Sequence, residues 1–203
     1  MSGKVGVLGG VFNPPHIGHL VCACEALETL ELDRVTLVPV RRAPHRPIVP
    51  EPGPETRLDL CAAAIEGFPR LEVSGLELER NGPSYTADTL QAMRDAAPDE
   101  QLTLILGGDQ ALALRSWREP RRVLELAGLA VAERGEARRE RVEETLAPLL
   151  DGRAIQFFEM PPIEISSTLI RRRIAAGREF RHLVPAGTAA AIDRLELYQD
   201  EAA

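Results

Sequence analysis

Short apolar runs alternate with longer amphipathic segments, and this alternation constrains the fold more than any other feature of the chain. The runs have the length of buried strands, and several are rich in β-branched residues. They span residues 5–8, 35–40, 102–106, 129–132 and 155–158. Stripes at helical spacing lie between them: Leu20, Cys24, Leu27 and Leu30; Leu58, Cys61, Ala62 and Ile65; Leu90, Met93 and Ala97. The alternation predicts a Rossmann-like α/β fold, a doubly wound parallel sheet with ligands at the carboxyl ends of its strands.

Length and composition favour a single domain over residues 1–203. Of the 203 residues, 44% are hydrophobic, which is enough to bury a core and to hold a ligand cleft. There is no internal repeat and no long linker. Residues 41–54 contain five prolines, so we expect an extended loop there.

Charge and cysteine usage indicate the kinds of partner and the compartment. The 24 basic and 31 acidic residues give a formal charge of −7, which argues against a general nucleic-acid-binding protein. Cys22, Cys24 and Cys61 are too few for a disulfide framework or a zinc knuckle, so we expect buried, reduced thiols. Neither a secretory signal nor an apolar stretch of bilayer length is evident. We therefore expect a cytoplasmic protein that does not bind membranes.

A glycine turn follows the first predicted strand and leads into the first helical stripe. Gly9 and Gly10 would let a phosphate approach the main chain, where the N–H groups of a helix start form an anion site. His16 and His19 stand three residues apart at that start, so both can donate to one phosphate. A zinc site would need a third ligand, and the P-loop and GxGxxG patterns are missing after this strand. We therefore predict a phosphate site of another kind, with no metal-binding side chains.

Two further polar segments can serve the same site. Ser166 or Ser167 can cap a helix whose N–H groups face an anion, while Arg171 reaches in from one turn later. Asp109 follows Gly107 and Gly108 at the end of a predicted strand. Its carboxylate can accept hydrogen bonds from ribose hydroxyls or can cap a helix, and its place at the strand end favours the ribose.

Several motifs resemble those of the HIGH-motif nucleotidyltransferases. Residues 9–19, GGVFNPPHIGH, resemble the first signature of that family, residues 165–171 resemble its ISSTxIR motif, and residues 107–109 resemble its GxD motif. The resemblance implies that His16, His19 and Arg171 are catalytic in adenylyl transfer, with Mg²⁺ accompanying ATP. The residues that it implies for ATP binding are Gly9, Gly10, Phe12, Gly18, Gly107, Asp109, Ser166 and Thr168. Arg46 joins them because residues 43–47, APHRP, resemble a PPHK segment in which arginine replaces lysine.

The acceptor is indicated by residues 84–90, SYTADTL, which resemble the SYTxDTL segment of bacterial nicotinate mononucleotide adenylyltransferases. This likeness, from residue 5 to about 198, implies that AMP passes from ATP to nicotinate mononucleotide and that pyrophosphate leaves. Trp117 has polar neighbours, which favours a cleft position where the indole stacks on a pyridine ring. The implied substrate-binding residues are Asn13, Tyr85, Thr86, Trp117 and Arg134, the last of which could equally be a solvated loop charge.

Other readings stay open at this point. The same transfer to nicotinamide mononucleotide would use the same motifs. A nucleotide-binding sensor without catalysis would also keep this fold. Self-association is left open by the sequence. An aminoacyl-tRNA synthetase also uses HIGH, but this short acidic chain leaves little room for a basic tRNA surface.

Overall fold

Strands and helices alternate along the chain, as predicted. The structure, a computed structural model, describes residues 3–43, 48–49, 52–133 and 135–199. The elements in chain order are β1 (Lys4–Gly10), α1 (Ile17–Thr29), β2 (Arg34–Pro39), α2 (Pro54–Ala64), β3 (Leu71–Val73), α3 (Thr86–Ala96), β4 (Gln101–Gly107), α4 (Gly108–Ala113), α5 (Pro120–Leu126), β5 (Gly128–Ala132), α6 (Glu136–Leu150), β6 (Ile155–Phe158), α7 (Ser167–Ala175) and α8 (Ala186–Arg194). Short 3₁₀ turns occur at Leu114–Ser116 and Arg181–Leu183.

The strands form one six-stranded sheet in the order β3-β2-β1-β4-β5-β6. β4 runs parallel to β1 and β5, and β6 runs parallel to β5. Leu104 of β4 lies opposite Val7 of β1 on one side and Leu129 of β5 on the other. The chain moves outward in one direction from β1 and in the other from β4, which is the order of a doubly wound sheet. The predicted fold class is confirmed.

The chain divides into two compact units, each assembled from separate segments. Unit 1 contains the chain up to Leu8, Cys22–Thr36 and Tyr85–Pro161. Unit 2 contains Gly9–Val21, Leu37–Ser84 and the chain from Pro162 onward. The single domain that we expect from the sequence over residues 1–203 stays a prediction.

The core of unit 1 is built on strands whose apolar side chains are removed from water. Val5, Ile105 and Ala130 have no exposed surface. Gly6 of β1 shows how tightly this core packs, because a Cβ there would come within 2.8 Å of the side chains of Ile105 and Leu32. Only glycine fits at that position without displacement of its neighbours.

The core of unit 2 is formed by helices α2, α7 and α8. Its buried residues are Leu60, Ile170, Phe180, Val184, Ala189, Ala191, Ile192 and Tyr198. A Cβ on Gly187 of α8 would overlap the carbonyl oxygen of Ala63 in α2, so glycine permits the close approach of these helices. This cluster supports the segment that carries Arg171, since Ile170 is fully buried in it.

Some details of burial differ from the predicted helical stripes. In α2, Ala62 is exposed and Arg57 is fully buried, because the helix packs through Arg57, Leu60, Cys61 and Ala64. Cys61 is buried as expected, whereas Cys22 and Cys24 are only partly buried. Burial raises the pKa of the Cys22 thiol to about 12 and the pKa of the Cys61 thiol beyond its usual range. In the described part of the chain, no helix is long and apolar enough to span a membrane.

Candidate active site

The end of β1, the connection that follows it and the first turn of α1 together place two imidazole rings against each other. We call residues 9–19 the histidine loop. His16 directly precedes α1, and its ring stacks on His19 with centroids 3.7 Å apart. The ring of Phe12 meets His19 edge-on at 4.9 Å. Phe12 and His16 are only 2% and 8% exposed, so the protein around them fixes the position of both rings.

Hydrogen bonding and burial determine the protonation of the two rings. The backbone N–H of His16 donates to Nδ1 of His19 over 3.1 Å. The neutral His19 ring therefore carries its proton on Nε2. Burial lowers the pKa of His16 to about 4, and burial with the nearby His16 lowers the pKa of His19 to about 3. Near neutral pH both rings are uncharged, and each offers one N–H donor.

Two of the predicted glycines make room for these rings. A Cβ on Gly18 would lie 3.1 Å from Nδ1 of His16, and a Cβ on Gly10 would lie 3.0 Å from the ring of Phe12. Gly9 differs, since a Cβ there would meet nothing within 4 Å. Nδ1 of His16 is buried and has no hydrogen-bond partner among the described residues. The histidine loop therefore contains a buried ring nitrogen without a partner among the described residues, and it also has open space at Gly9.

Helix α7 is fastened to the histidine loop through the second predicted segment. The hydroxyl of Ser166, rather than that of Ser167, caps the helix by accepting from the backbone N–H of Leu169 over 3.1 Å. Ser167 donates to the carbonyl of Pro14 over 2.8 Å. Arg171 donates to the carbonyl of Asn13 over 2.8 Å and to the hydroxyl of Thr168 over 3.4 Å. Both predicted phosphate segments thus lie together in unit 2.

Two residues that sequence reasoning missed also hold this loop. Arg57 is fully buried and donates to the carbonyls of Val11 and Arg41 over 3.0 and 3.2 Å. Its spacing in the sequence is a usable signal, because it stands three and four residues before the apolar Leu60 and Cys61. Tyr198 donates to Oδ1 of Asn13 over 2.7 Å. Asn13 is only 3% exposed, so its predicted contact with substrate has little free surface to use.

Asp109 lies in unit 1, in the first turn of α4. Gly107 occupies the helix cap without a side-chain bond, so the alternative in which Asp109 caps the helix is wrong. The carboxylate is 84% exposed and is paired with Arg138, which also bonds Glu133 over 3.0 Å. A Cβ on Gly108 would overlap the Glu133 carboxylate. Packing therefore explains Gly108, whereas a Cβ on Gly107 would meet nothing within 4 Å.

Of the predicted substrate-binding residues, Tyr85 and Thr86 lie in unit 1 at the start of α3, Trp117 lies in unit 1 directly after the 3₁₀ turn at Leu114–Ser116, and Asn13 lies in unit 2. Tyr85 precedes the helix and makes no side-chain cap bond, so the first N–H groups from Thr86 onward point out of the helix end. The guanidinium of Arg118 lies 4.5 Å above the Tyr85 ring and 3.5 Å from Asp88. Trp117, which precedes Arg118, is partly exposed, as its polar neighbours predict.

Two predicted residues, Arg46 and Arg134, lie outside the described residues. Within the described ranges, no group of three or more histidine, cysteine, aspartate or glutamate side chains could hold a metal ion. Such a site is compatible with a magnesium ion bound to a substrate, because Mg²⁺ keeps several waters and commonly binds through substrate phosphates.

Comparison with known proteins gives consistent results. Residues 7–173 match the model of the family described as cytidylyltransferase-like. Two relatives are named "Probable nicotinate-nucleotide adenylyltransferase", and the match to each covers 97% of this chain. The relative from Geobacillus thermodenitrificans is 36% identical, and the match covers 86% of its length. The relative from Thermus thermophilus is 38% identical, and the match covers its whole length. The solved nicotinic acid mononucleotide adenylyltransferase of Plasmodium falciparum, complexed with NaAD, shares the fold with a TM-score of 0.77 at 16% identity, covering 97% of this chain and 98% of its own.

Proposed function

This chain belongs to the cytidylyltransferase-like family, and from its similarity to relatives named nicotinate-nucleotide adenylyltransferase we propose that it transfers AMP from ATP to nicotinate mononucleotide. The products are nicotinate adenine dinucleotide and pyrophosphate. The single observation that carries the proposal in the structure is the stacked pair of neutral imidazoles held against the α7 segment.

The chemistry needs no protein nucleophile. The phosphate of the mononucleotide is ionised near neutral pH, so it attacks the α-phosphorus of ATP in line with the departing pyrophosphate. One new phosphorus–oxygen bond forms as the bond to pyrophosphate breaks. The rate then depends on how well the protein positions the reactants and stabilises the charge that builds up on the phosphate oxygens.

We assign that stabilisation to the histidine loop and α7. His16 and His19 donate ring N–H groups to phosphate oxygens, and Arg171 contributes its fixed charge. Gly9 lies where a phosphate can approach the main chain, because its missing side chain leaves open space. The bound triphosphate would favour protonation of the rings, since a nearby negative charge opposes the effect of burial on their pKa values. Gly10, Phe12 and Gly18 shape the loop around the rings.

The residues of unit 1 keep their predicted roles as part of this proposal. Asp109 accepts from the ATP ribose, for which Arg138 must release its carboxylate. Thr86 offers a helix-end N–H group to the nicotinate carboxylate, and Tyr85 and Trp117 offer ring faces to the pyridine. Arg46, Arg134, Ser166 and Thr168 retain the ligand contacts implied by their motifs. Asn13 acts through its place in the loop.

Magnesium belongs to this proposal as a companion of ATP. It supplies charge neutralisation on the triphosphate when bound. We also place the reaction in the cytoplasm, which agrees with three cysteines that remain free thiols. The proposal includes no oligomeric state, because the sequence leaves self-association open.

The test compares acceptors side by side. Pyrophosphate release from ATP is measured with nicotinate mononucleotide, with nicotinamide mononucleotide and without an acceptor. We expect kcat/KM to be at least about tenfold higher for the acid, because a carboxylate makes charge-assisted hydrogen bonds that a neutral amide lacks. A higher kcat/KM for nicotinamide mononucleotide would show that the amide, not the acid, is the acceptor. ATP binding by calorimetry without any pyrophosphate release would contradict the transferase.

A further inference from the structure

A tyrosine close to the end of the described chain contacts the histidine loop from inside the core of unit 2. Tyr198 is 7% exposed and belongs to the apolar cluster that includes Leu60 and Ile170. Its hydroxyl donates to Oδ1 of Asn13 over 2.7 Å, across 185 positions of the sequence. A buried phenol hydroxyl needs a partner, and a buried amide needs one too, so each group constrains the other.

Asn13 is therefore held at two of its atoms. Tyr198 binds the side-chain oxygen, while Arg171 binds the main-chain carbonyl over 2.8 Å. Pro14 and Pro15 follow directly and lead to His16. Because the proline ring fixes φ, this connection is stiff, and a displacement of Asn13 is passed on to the first imidazole rather than absorbed between them.

Backbone conformation on both sides of this contact indicates a constraint beyond packing. Tyr198 has a φ of 63°, and Phe12, next to Asn13, has a φ of 49°. Residues other than glycine adopt this left-handed region only when their surroundings hold them there, and such residues occur often at functional sites. The hydrogen bond therefore joins Tyr198, which has left-handed backbone, to the direct neighbour of Phe12, which has it too.

We propose that Tyr198 is a positioning residue for the transfer reaction: its hydroxyl fixes Asn13 and thereby the alignment of the His16 and His19 rings. This inference rests on the proposed function, because it assigns a role within the same site. Alignment of donors matters most where charge develops, so loss of the hydroxyl lowers kcat more than it raises the KM for ATP.

The experiment removes one oxygen atom. Tyr198→Phe keeps the ring in its apolar cluster and should lower kcat about tenfold, the effect of a lost hydrogen bond of ordinary strength. Thr188→Val is the matched control, because Thr188 is also buried in unit 2 and its hydroxyl donates to the carbonyl of Leu60 over 3.5 Å. Both variants should lower the melting temperature, but Thr188→Val should leave kcat within about twofold.

A double-mutant cycle isolates the contact itself. In the background of Asn13→Ala, the further change Tyr198→Phe should have almost no effect on kcat, because its acceptor is already gone. Equal effects of Tyr198→Phe in both backgrounds, or a kcat that matches the Thr188→Val control, would overturn the proposal.

Amide hydrogen exchange makes the test independent of the reaction. Tyr198→Phe should speed exchange in the histidine loop relative to Thr188→Val, with other segments of unit 2 alike in both variants. If the wild-type chain released no pyrophosphate, the proposed function would fail, while this comparison would still decide whether Tyr198 holds the loop. Unchanged exchange in the loop would contradict the positioning role even in an active enzyme.

Discussion

Hydrogen bonds from Arg57, Arg171 and Tyr198 hold the histidine loop of unit 2, whereas in unit 1 the predicted ribose ligand Asp109 is held by a surface ion pair with Arg138. In the loop, Arg57 is fully buried and Tyr198 is 7% exposed. In unit 1, the side chains of Asp109 and Arg138 are 84% and 50% exposed. Exposed ion pairs contribute about 0 to 1 kcal/mol, whereas removing one partner of a buried hydrogen bond commonly costs about 1 to 3 kcal/mol.

This contrast indicates that the two regions contribute differently, one to transition-state stabilisation and the other to ligand binding. A loop that is locked before substrate arrives can supply preorganised donors, which act on the transition state. Side chains that are paired only at the surface can change partners when a ligand binds, which affects binding more than turnover. Changes in the loop should therefore appear mainly in kcat, and changes among the unit 1 side chains should appear mainly in KM.

The largest effect is expected from His19→Ala. This change removes a ring donor from the histidine loop, and kcat should fall roughly a hundredfold or more, as it does when one preorganised donor to a developing anion is lost. The fold should survive, because His19 belongs to neither of the apolar cores described above. The measurement is steady-state pyrophosphate release, with a thermal melt as the control for folding. Near-normal turnover would contradict the role of the histidine loop in stabilising the transition state.

The origin of this loop could largely be inferred from the sequence. A strand, a glycine turn and a helix start are local features, so their order could be predicted from the sequence, although the strand predicted at residues 5–8 extends over Lys4–Gly10 in the structure. The doubly wound sheet could be predicted from the alternation of strands and helices along the chain. The pairing of His16 with His19 follows from their separation of three residues at a helix start. The strand Leu71–Val73 was missed because three residues are too few to show a periodic pattern.

The contacts that lock the loop could not be inferred in this way. Ser167 meets Pro14 across 153 positions, and Tyr198 meets Asn13 across 185, so both depend on the assembled core rather than on a local pattern. Arg57 was missed because arginine is usually solvated, whereas here Arg57 lies on the buried side of α2 and the predicted Ala62 does not. The pairing of Asp109 with Arg138 likewise comes from tertiary packing.

The burial of His16 predicts a loss of stability in acid. Its pKa falls from 6.5 to about 4 in the folded protein, so the unfolded chain binds more protons between these values. The free energy of unfolding should therefore decrease as the pH drops from about 6.5 toward 4, by roughly 3 kcal/mol for this one group. Denaturant melts of the wild type and of His16→Gln would measure the slope, which should be shallower in the variant.

His182 provides the control for that slope. It is exposed, in the 3₁₀ turn at Arg181–Leu183. His182→Gln is the matched histidine-to-glutamine change at the surface, and it should keep the pH dependence of the wild type because it leaves the buried His16 ring in place. If His16→Gln and His182→Gln gave the same curve, the histidine loop would not be the source of the acid sensitivity.

The smallest effect is expected from Trp117→Ala in unit 1. Stacking of the indole on a pyridine ring stabilises the ground state and the transition state alike, so its loss should raise the KM for nicotinate mononucleotide about fivefold to tenfold with little change in kcat. Trp117→Phe keeps an aromatic face and should recover part of the affinity. Steady-state kinetics with varied mononucleotide at saturating ATP separate the two parameters. A fall in kcat at unchanged KM would erase the difference between the two regions, because Trp117 would then act on the reacting atoms as the histidine loop does.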